Sequence, residues 1–134
     1  MGTIAKHKNL ITLYFSSKNT IGKQVEPYVV SSEKKVRSID ISKTNVTETQ
    51  WTELAEGLNM KISDLIDQEH PDFTNKYGDG QKSMSPTDWL KILNNHPELL
   101  KYPILIDGNE YYSLQSASAF KKHMEPDSAR IEKT

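Results

Sequence analysis

A short polar loop after the first apolar segment of the chain has the residue types of an anion-binding site. The segment Leu10–Phe15 has the composition of a buried strand, and Thr20 is the candidate N-cap of the helix that follows. A helix start directs unpaired backbone N–H groups outwards, where an anion can accept them. Asn19, Thr20 and Lys23 are therefore candidate anion-binding residues. An ordinary helix start with a solvated lysine explains the same residues.

Two other kinds of chemistry find little support in the spacing of the residues. A serine nucleophile at Ser16 or Ser17 lacks a nucleophile-elbow sequence and identifiable acid and base partners. The four histidines have no ligand spacing, and Glu69, His70 and Asp72 would hold a metal only if their loop folded back. We therefore predict no serine hydrolase and no metal site.

The elements around the loop predict a strand–helix–strand unit. Apolar residues at helical spacing indicate a helix over Thr20–Ser31, in which Pro27 predicts a kink or a late helix start. Alternating residues at Val36–Ile41 indicate a second strand. A crossover helix between two strands favours parallel pairing, so we predict a βαβ unit.

Helices are predicted for the middle of the chain. Thr47 and Gln50 form a capping box before an apolar stripe, and Ser85 begins another capped helix that ends near Asn94. A shorter helix is expected at Ile62–Asp67. Trp51 and Trp89 lie on apolar stripes, which favours core packing for both. Between the helices, His70–Asp72 and Tyr77–Gly80 predict a long, exposed and mobile polar loop.

The last part of the chain predicts a hairpin and a helix. The strands Ile104–Ile106 and Glu110–Leu114 flank the turn Asp107–Asn109, and a final helix is expected at Ser116–Met124. Because side chains alternate along a strand, only one of Tyr111 and Tyr112 is expected to be buried.

Composition limits the class of protein. The chain has 134 residues, 35% of them hydrophobic, a formal net charge of -1 and no cysteine. Zero cysteines exclude disulfides, thiolate metal sites and direct thiol catalysis. The small net charge gives no large field for nucleic acid or an anionic membrane, and no apolar run is long enough for a membrane helix. We expect a cytoplasmic protein with one domain over residues 9–124, a helical insert over about 46–95, a flexible segment 1–8 and a disordered tail 125–134.

The order of these elements resembles the ArsC family of thioredoxin-fold arsenate reductases and their Spx-like relatives. The resemblance spans roughly Asn9 to Met124. It rests on five segments in the family's order: Ile11–Tyr14, Gln50–Leu54, Ile62–Ile66, Asn95–Leu99 and Tyr102–Gly108. It implies an α/β, thioredoxin-like fold with a βαβ unit, a β-hairpin, a mixed sheet and a helical insertion.

The resemblance also implies a site that has lost its usual residues. The family's cysteine positions correspond to Asn19 and Gly22, which have neither a nucleophilic nor a resolving side chain. Positions at which reductases carry oxyanion-binding arginines correspond to Asp67, Tyr102 and Gln115. Replacing three cations by an acid, a phenol and an amide removes the contacts that hold arsenate. Pro103 corresponds to a proline that adopts a cis peptide in thioredoxin folds, which would bring Tyr102 to the rim of the cleft. The alternative is that Pro103 only shapes the start of a strand, and the sequence leaves the isomer open.

These residues favour a divergent ArsC-like protein without reductase activity, a pseudoenzyme that acts as a ligand- or protein-binding module. The expected partner is a protein or a small anion, without nucleic acid, membrane or cofactor. The alternative is an arsenate reductase-like oxidoreductase that borrows its thiol from glutathione or a glutaredoxin. A purely structural subunit is a third class. The ligand-binding candidates are Asn19, Thr20, Gly22, Lys23, Tyr102, Pro103 and Gln115.

Overall fold

Four strands form one mixed sheet in the computed structural model, which describes residues 10–32, 34–78 and 84–123. The strands are β1 (Leu10–Phe15), β2 (Lys35–Asp40), β3 (Ile104–Asp107) and β4 (Glu110–Ser113). Their order is β2-β1-β3-β4; β1 is parallel to β2 and antiparallel to β3, and β4 is antiparallel to β3. The predicted βαβ unit and hairpin are therefore present in one α/β domain.

Five helices accompany the sheet in the described ranges. They are α1 (Thr20–Val30), α2 (Glu48–Leu58), α3 (Pro71–Tyr77), α4 (Pro86–Asn95) and α5 (residues 117–123). Two 3₁₀ turns, Ile62–Leu65 and Pro97–Leu99, precede α3 and β3 respectively. The predicted flexible segment 1–8, the disordered tail 125–134, Asp79–Gly80 and the predicted helix end at Met124 lie outside the described residues.

The sheet separates two apolar cores. Alternation along β1 directs Ile11, Leu13 and Phe15 to the face covered by α1 and α5. Tyr14 points to the opposite face, which packs against the helices between β2 and β3. The predicted core tryptophans lie on that second face, with Trp51 1% exposed and Trp89 7% exposed. The helical insertion therefore supplies its own half of the core.

The start of α1 corrects one prediction. Asn19, not Thr20, is the N-cap, because the Asn19 side chain accepts a hydrogen bond from the Gly22 backbone N–H. Pro27 lies within α1, so the predicted late helix start is wrong. The missing proline N–H leaves the carbonyl of exposed Lys23 without its helical donor, and water can satisfy it.

The predicted polar loop after residue 70 is wrong for the residues that are described. Pro71–Tyr77 forms α3, with proline at its first position and the His70 side chain accepting a hydrogen bond from the Asp72 N–H at 3.0 Å. Phe73 is 1% exposed and its ring stacks on Trp89 with centroids 5.8 Å apart. The buried Phe73 ring therefore anchors α3, and Tyr77, one turn later, packs partly buried against the same core.

The hairpin corrects two further expectations. Tyr111 packs against the insertion-side core and Tyr112 against the α1-side core, so both rings are half-buried rather than only one. The described residues contain no cis peptide bond, so the peptide before Pro103, whose isomer the sequence leaves open, is trans and differs from the cis form that the resemblance implies. Trans is also the intrinsically favoured form before proline.

The strand tyrosine, Tyr14, lies on the insertion side of β1 and is 3% exposed. Burial raises the pKa of its phenol, while the positive charge of Arg37 partly opposes that shift. Tyr14 is therefore a neutral core side chain at physiological pH.

Candidate functional site

The Asn19 side chain forms hydrogen bonds in two directions from the loop between β1 and α1. Its Oδ1 accepts from the Gly22 N–H at 2.7 Å. Its Nδ2 donates to the Leu100 carbonyl at 3.0 Å and to the Glu98 carbonyl at 3.4 Å. One amide therefore caps α1 and fastens it to the segment before β3.

Gly22 permits the close approach of this loop to α1. A Cβ atom at position 22 would lie 2.1 Å from the Ser16 carbonyl oxygen and 3.0 Å from Asn19 Oδ1. The first distance is far inside van der Waals contact, so a larger residue requires the loop to move. A second cysteine at this position, as the resemblance implies for some relatives, would not fit the observed loop.

The loop is also held by a carboxylate at the end of β2. Asp40 Oδ1 accepts hydrogen bonds from the Ser17 N–H at 3.1 Å, the Ser42 N–H at 3.0 Å and the Ser42 hydroxyl at 2.7 Å. Burial alone would raise the pKa of Asp40, but the hydrogen bonds from Ser17 and Ser42 outweigh it and lower that pKa. The Asp40 carboxylate thus occupies donors that an external anion would need.

Lys23, the predicted anion-binding cation, follows Gly22 in the first turn of α1, and its backbone N–H donates to the Asn19 carbonyl at 3.2 Å. It lines an open cavity of about 410 Å³ together with Lys43, Glu26 and Asp40. Two ammonium groups and two carboxylates share this cavity, so it offers no excess of positive charge.

A polar cavity of about 370 Å³ is built where the helical insertion meets the end of the hairpin. The Asp67 N–H donates to the Leu99 carbonyl at 2.8 Å, and the Lys101 N–H donates to the Leu65 carbonyl at 2.7 Å. This antiparallel pairing, centred on Ile66 and Leu100, places Asp67 and Lys101 in the cavity wall. Ser113 and Gln115 form the opposing part of the wall, at the end of β4.

Negative charge predominates in the polar cavity. Its lining contains three carboxylates, Asp64, Asp67 and Glu69, and one ammonium group, that of Lys101. Asp67 Oδ1 accepts from the Glu69 N–H at 3.1 Å, and the Lys101 ammonium lies 5.6 Å from the Tyr102 ring centroid. An incoming anion would meet unfavourable charge, whereas a cation would be attracted.

Three neutral polar side chains in the same cavity are available to a ligand. The Tyr102 hydroxyl, the Ser113 hydroxyl and the Gln115 amide line the cavity and form no hydrogen bond with the described part of the chain. Each can both donate and accept. The cavity therefore offers neutral hydrogen-bonding groups beside its carboxylates.

An apolar groove of about 450 Å³ adjoins the polar cavity on the insertion side. Trp89, Met84 and Ile62 contribute to its wall, and Met60 and Ser63 line both the groove and the polar cavity. Met60 is 39% exposed, which is high for a large apolar side chain.

The structure divides the sequence-predicted candidates into separate groups. Tyr102 and Gln115 line the polar cavity, together with Asp67. Asn19, Thr20 and Gly22 lie at the start of α1. Pro103 is buried, and its carbonyl accepts from the Leu114 N–H at 2.8 Å. The Asn19 contact with Leu100, two residues before Tyr102, connects the first two groups.

The three histidines in the described ranges have structural contacts. His70 caps α3, His96 Nδ1 lies 3.4 Å from a Glu98 carboxylate oxygen, and His123 Nε2 lies 2.9 Å from Asp107 Oδ2. Among residues 10–32, 34–78 and 84–123, no group of three potential ligands is arranged to hold a metal ion. None of the helices in these ranges combines the length and apolar content needed to cross a bilayer.

Sequence reasoning missed several residues that line the polar cavity and the apolar groove, among them Ser113, Lys101 and Met60. Ser113 could have been found from the register of the hairpin. It lies opposite Ile104, which in turn lies opposite Tyr14 on the neighbouring strand β1. Lys101 had no comparable signal, because its position depends on the pairing of Ile66 with Leu100 across the insertion. Met60 follows the end of α2, where its N–H donates to the Ala55 carbonyl at 2.9 Å, and this local contact does not indicate a cavity.

No protein-family model matches the sequence, and no curated protein matches it significantly. Solved structures do resemble it. A candidate arsenate reductase from Yersinia pestis has a TM-score of 0.70 at 12% identity, covering 84% of this chain and 98% of that one. An arsenate reductase from Vibrio cholerae has a TM-score of 0.66 at 12% identity, covering 80% and 91%. An arsenate reductase (ArsC) related protein from Brucella melitensis has a TM-score of 0.64 at 10% identity, covering 90% and 98%. At these identities the similarity establishes the fold: the chain has the thioredoxin-like fold of the ArsC arsenate reductases.

Proposed function

We propose that this chain is a binding protein built on the ArsC fold and has no reductase activity of its own. The observation that carries the proposal is the use of Asn19. Its amide caps α1 through Gly22 and holds the Leu100 carbonyl, so the position of the family's nucleophile is occupied by a structural group. A neutral amide cannot form the covalent thiol intermediate, and the sequence contains no cysteine elsewhere.

The charge of the polar cavity supports the same proposal. Asp67 stands at a position where the resemblance implies an arginine, and Glu69 adds a second carboxylate nearby. A carboxylate repels an arsenate oxyanion, whereas an arginine would bind it through two parallel hydrogen bonds. The cavity is therefore better suited to a partner with donor groups or positive charge. A cytoplasmic location stays a prediction from the sequence.

Amide NMR titrations of the full chain with arsenate and with glutathione test this proposal. We expect no saturable shifts at residues 20–23 or at the polar cavity, because Asn19 occupies the Gly22 N–H and Asp67 repels both anionic ligands. Saturable shifts of Gln115 and Tyr102 with either ligand would overturn the proposal. They would support the alternative of an oxidoreductase that uses an external thiol.

A further inference from the structure

The polar cavity and the apolar groove form one continuous concave surface. Met60 and Ser63 line both, so the two volumes of about 370 and 450 Å³ meet at a shared wall. One half has carboxylates and neutral hydrogen-bonding groups, and the other half is mainly apolar, with the opposite charges of Glu56 and Lys61 also in its lining. An occupant that fills both halves must itself have an apolar part beside a polar part.

The apolar half has the features of a binding surface. Met60 is 39% exposed, and the partly buried Met84 lines the same groove as Trp89. Methionine side chains are flexible and polarizable, so they adapt to differently shaped apolar partners. A large apolar side chain entering this groove would cover the exposed Met60 thioether.

The polar half selects the charge of the occupant. Asp64, Asp67 and Glu69 outnumber Lys101, the one ammonium group that lines this cavity. The fork of a guanidinium can pair with a carboxylate while its other N–H groups reach acceptors such as the Gln115 carbonyl oxygen. Charge complementarity therefore favours an arginine side chain over a carboxylate.

We propose that this joined surface binds a peptide segment of a partner protein, with a large apolar side chain in the groove and a nearby arginine in the polar cavity. The inference rests on the proposed binding function and specifies its partner. Because Met60 and Ser63 line both volumes, one short segment can place its apolar side chain in the groove and its arginine in the polar cavity. A small anion would leave the apolar half empty and would meet the Asp67 carboxylate.

Titration of the full chain with synthetic peptides tests the proposal. The probes are acetylated, amidated peptides in which leucine and arginine are separated by alanine spacers of increasing length, with matched peptides that carry lysine or glutamate instead of arginine. For at least one spacer length we expect saturable amide shifts at both Ile62 and Gln115. The lysine peptide should bind more weakly, and the glutamate peptide should cause no saturable shift.

Two matched variants test whether the Asp67 carboxylate binds the arginine of the peptide. Asp67→Asn should raise the Kd of the arginine peptide about fivefold or more, which corresponds to roughly 1 kcal/mol. Asp72→Asn removes an exposed carboxylate on α3 that lines neither cavity, and it should leave the Kd unchanged. Retained amide dispersion shows that each variant is folded. An equal Kd for wild type and Asp67→Asn would overturn the proposal.

Other occupants give different results. Absence of binding by every peptide, or equal binding of the glutamate peptide, would overturn the proposed partner. Concentration-dependent dimerisation that Met60→Lys abolishes would also overturn it, and would assign the surface to a second copy of the chain. Arsenate or glutathione shifts at Gln115 would instead overturn the proposed function, so the two failures are distinguishable.

Discussion

Replacing Asn19 by alanine should destabilise the domain, because one side chain holds two separate elements. Asn19→Ala removes the N-cap of α1, which is worth about 1 kcal/mol in proteins. It also removes the donor to the Leu100 carbonyl, at 3.0 Å, in a residue that is only 2% exposed. An amide–carbonyl bond of this kind contributes about 1 kcal/mol net. We therefore expect a loss of about 2 kcal/mol in the free energy of unfolding.

Two further variants separate the contributions. Asn19→Ser keeps a cap acceptor for the Gly22 N–H but cannot reach Leu100, so it should cost about 1 kcal/mol. Thr20→Ala is the matched control, because Thr20 is exposed at the first position of α1 and should change stability by less than about 0.5 kcal/mol.

Urea unfolding of the three variants, followed by far-UV circular dichroism, measures these differences. Thermal unfolding should show a fall in Tm of about 8 °C for Asn19→Ala, at roughly 4 °C per kcal/mol for a domain of this size. A loss below about 0.5 kcal/mol for Asn19→Ala would refute the structural role of the amide. Equal losses for the serine and alanine variants would show that the bond to Leu100 contributes nothing.

Three more predictions concern the loop, its carboxylate and α3. Gly22→Ala should cost about 1–3 kcal/mol in urea unfolding, because its Cβ would meet the Ser16 carbonyl oxygen at 2.1 Å; wild-type stability would contradict the observed loop. Because the pKa of Asp40 is lower in the folded than in the unfolded chain, its ionised carboxylate stabilises the fold at pH values above the unfolded-state pKa. This stabilisation is lost as the pH falls through the folded-state pKa. Unfolding series from neutral pH to below about pH 4 should therefore show a smaller acid-induced loss in Asp40→Asn than in wild type, and parallel curves would refute this. Phe73→Ala should cost about 3–5 kcal/mol and expose the α3 amides to hydrogen exchange, whereas unchanged protection would show that α3 needs no core anchor.

Local signals in the sequence were sufficient to predict most of the helices and strands. The capping box that begins α2 depends on residues three positions apart and forms as predicted. Ser85 caps α4 as predicted, and Asp88 completes a second capping box there. The hairpin and the βαβ unit were likewise predicted from apolar runs and turn residues that lie close together in the sequence. By contrast, α3 has a single buried apolar residue, Phe73, and no apolar stripe from which a helix could be predicted.

The candidate site depended on contacts that the sequence does not display. The predicted N-cap of α1, Thr20, is one residue away from the observed cap, Asn19. Asn19 also donates to the Leu100 carbonyl, which lies 81 positions further along the chain. The polar cavity depends on the antiparallel pairing of Ile66 with Leu100, which is made by backbone hydrogen bonds of the residues on either side of them. Periodicity and spacing carry no information about such non-local pairing.

An arsenate reduction assay tests the central claim most directly. The purified wild-type chain is incubated with arsenate, glutathione, glutaredoxin and glutathione reductase, and NADPH oxidation is followed against a mixture without the chain. A cysteine-containing arsenate reductase serves as the positive control. We predict a rate equal to that of the mixture without the chain, because Asn19 cannot act as the nucleophile. Arsenate-dependent NADPH oxidation that rises in proportion to the concentration of the chain would contradict the account.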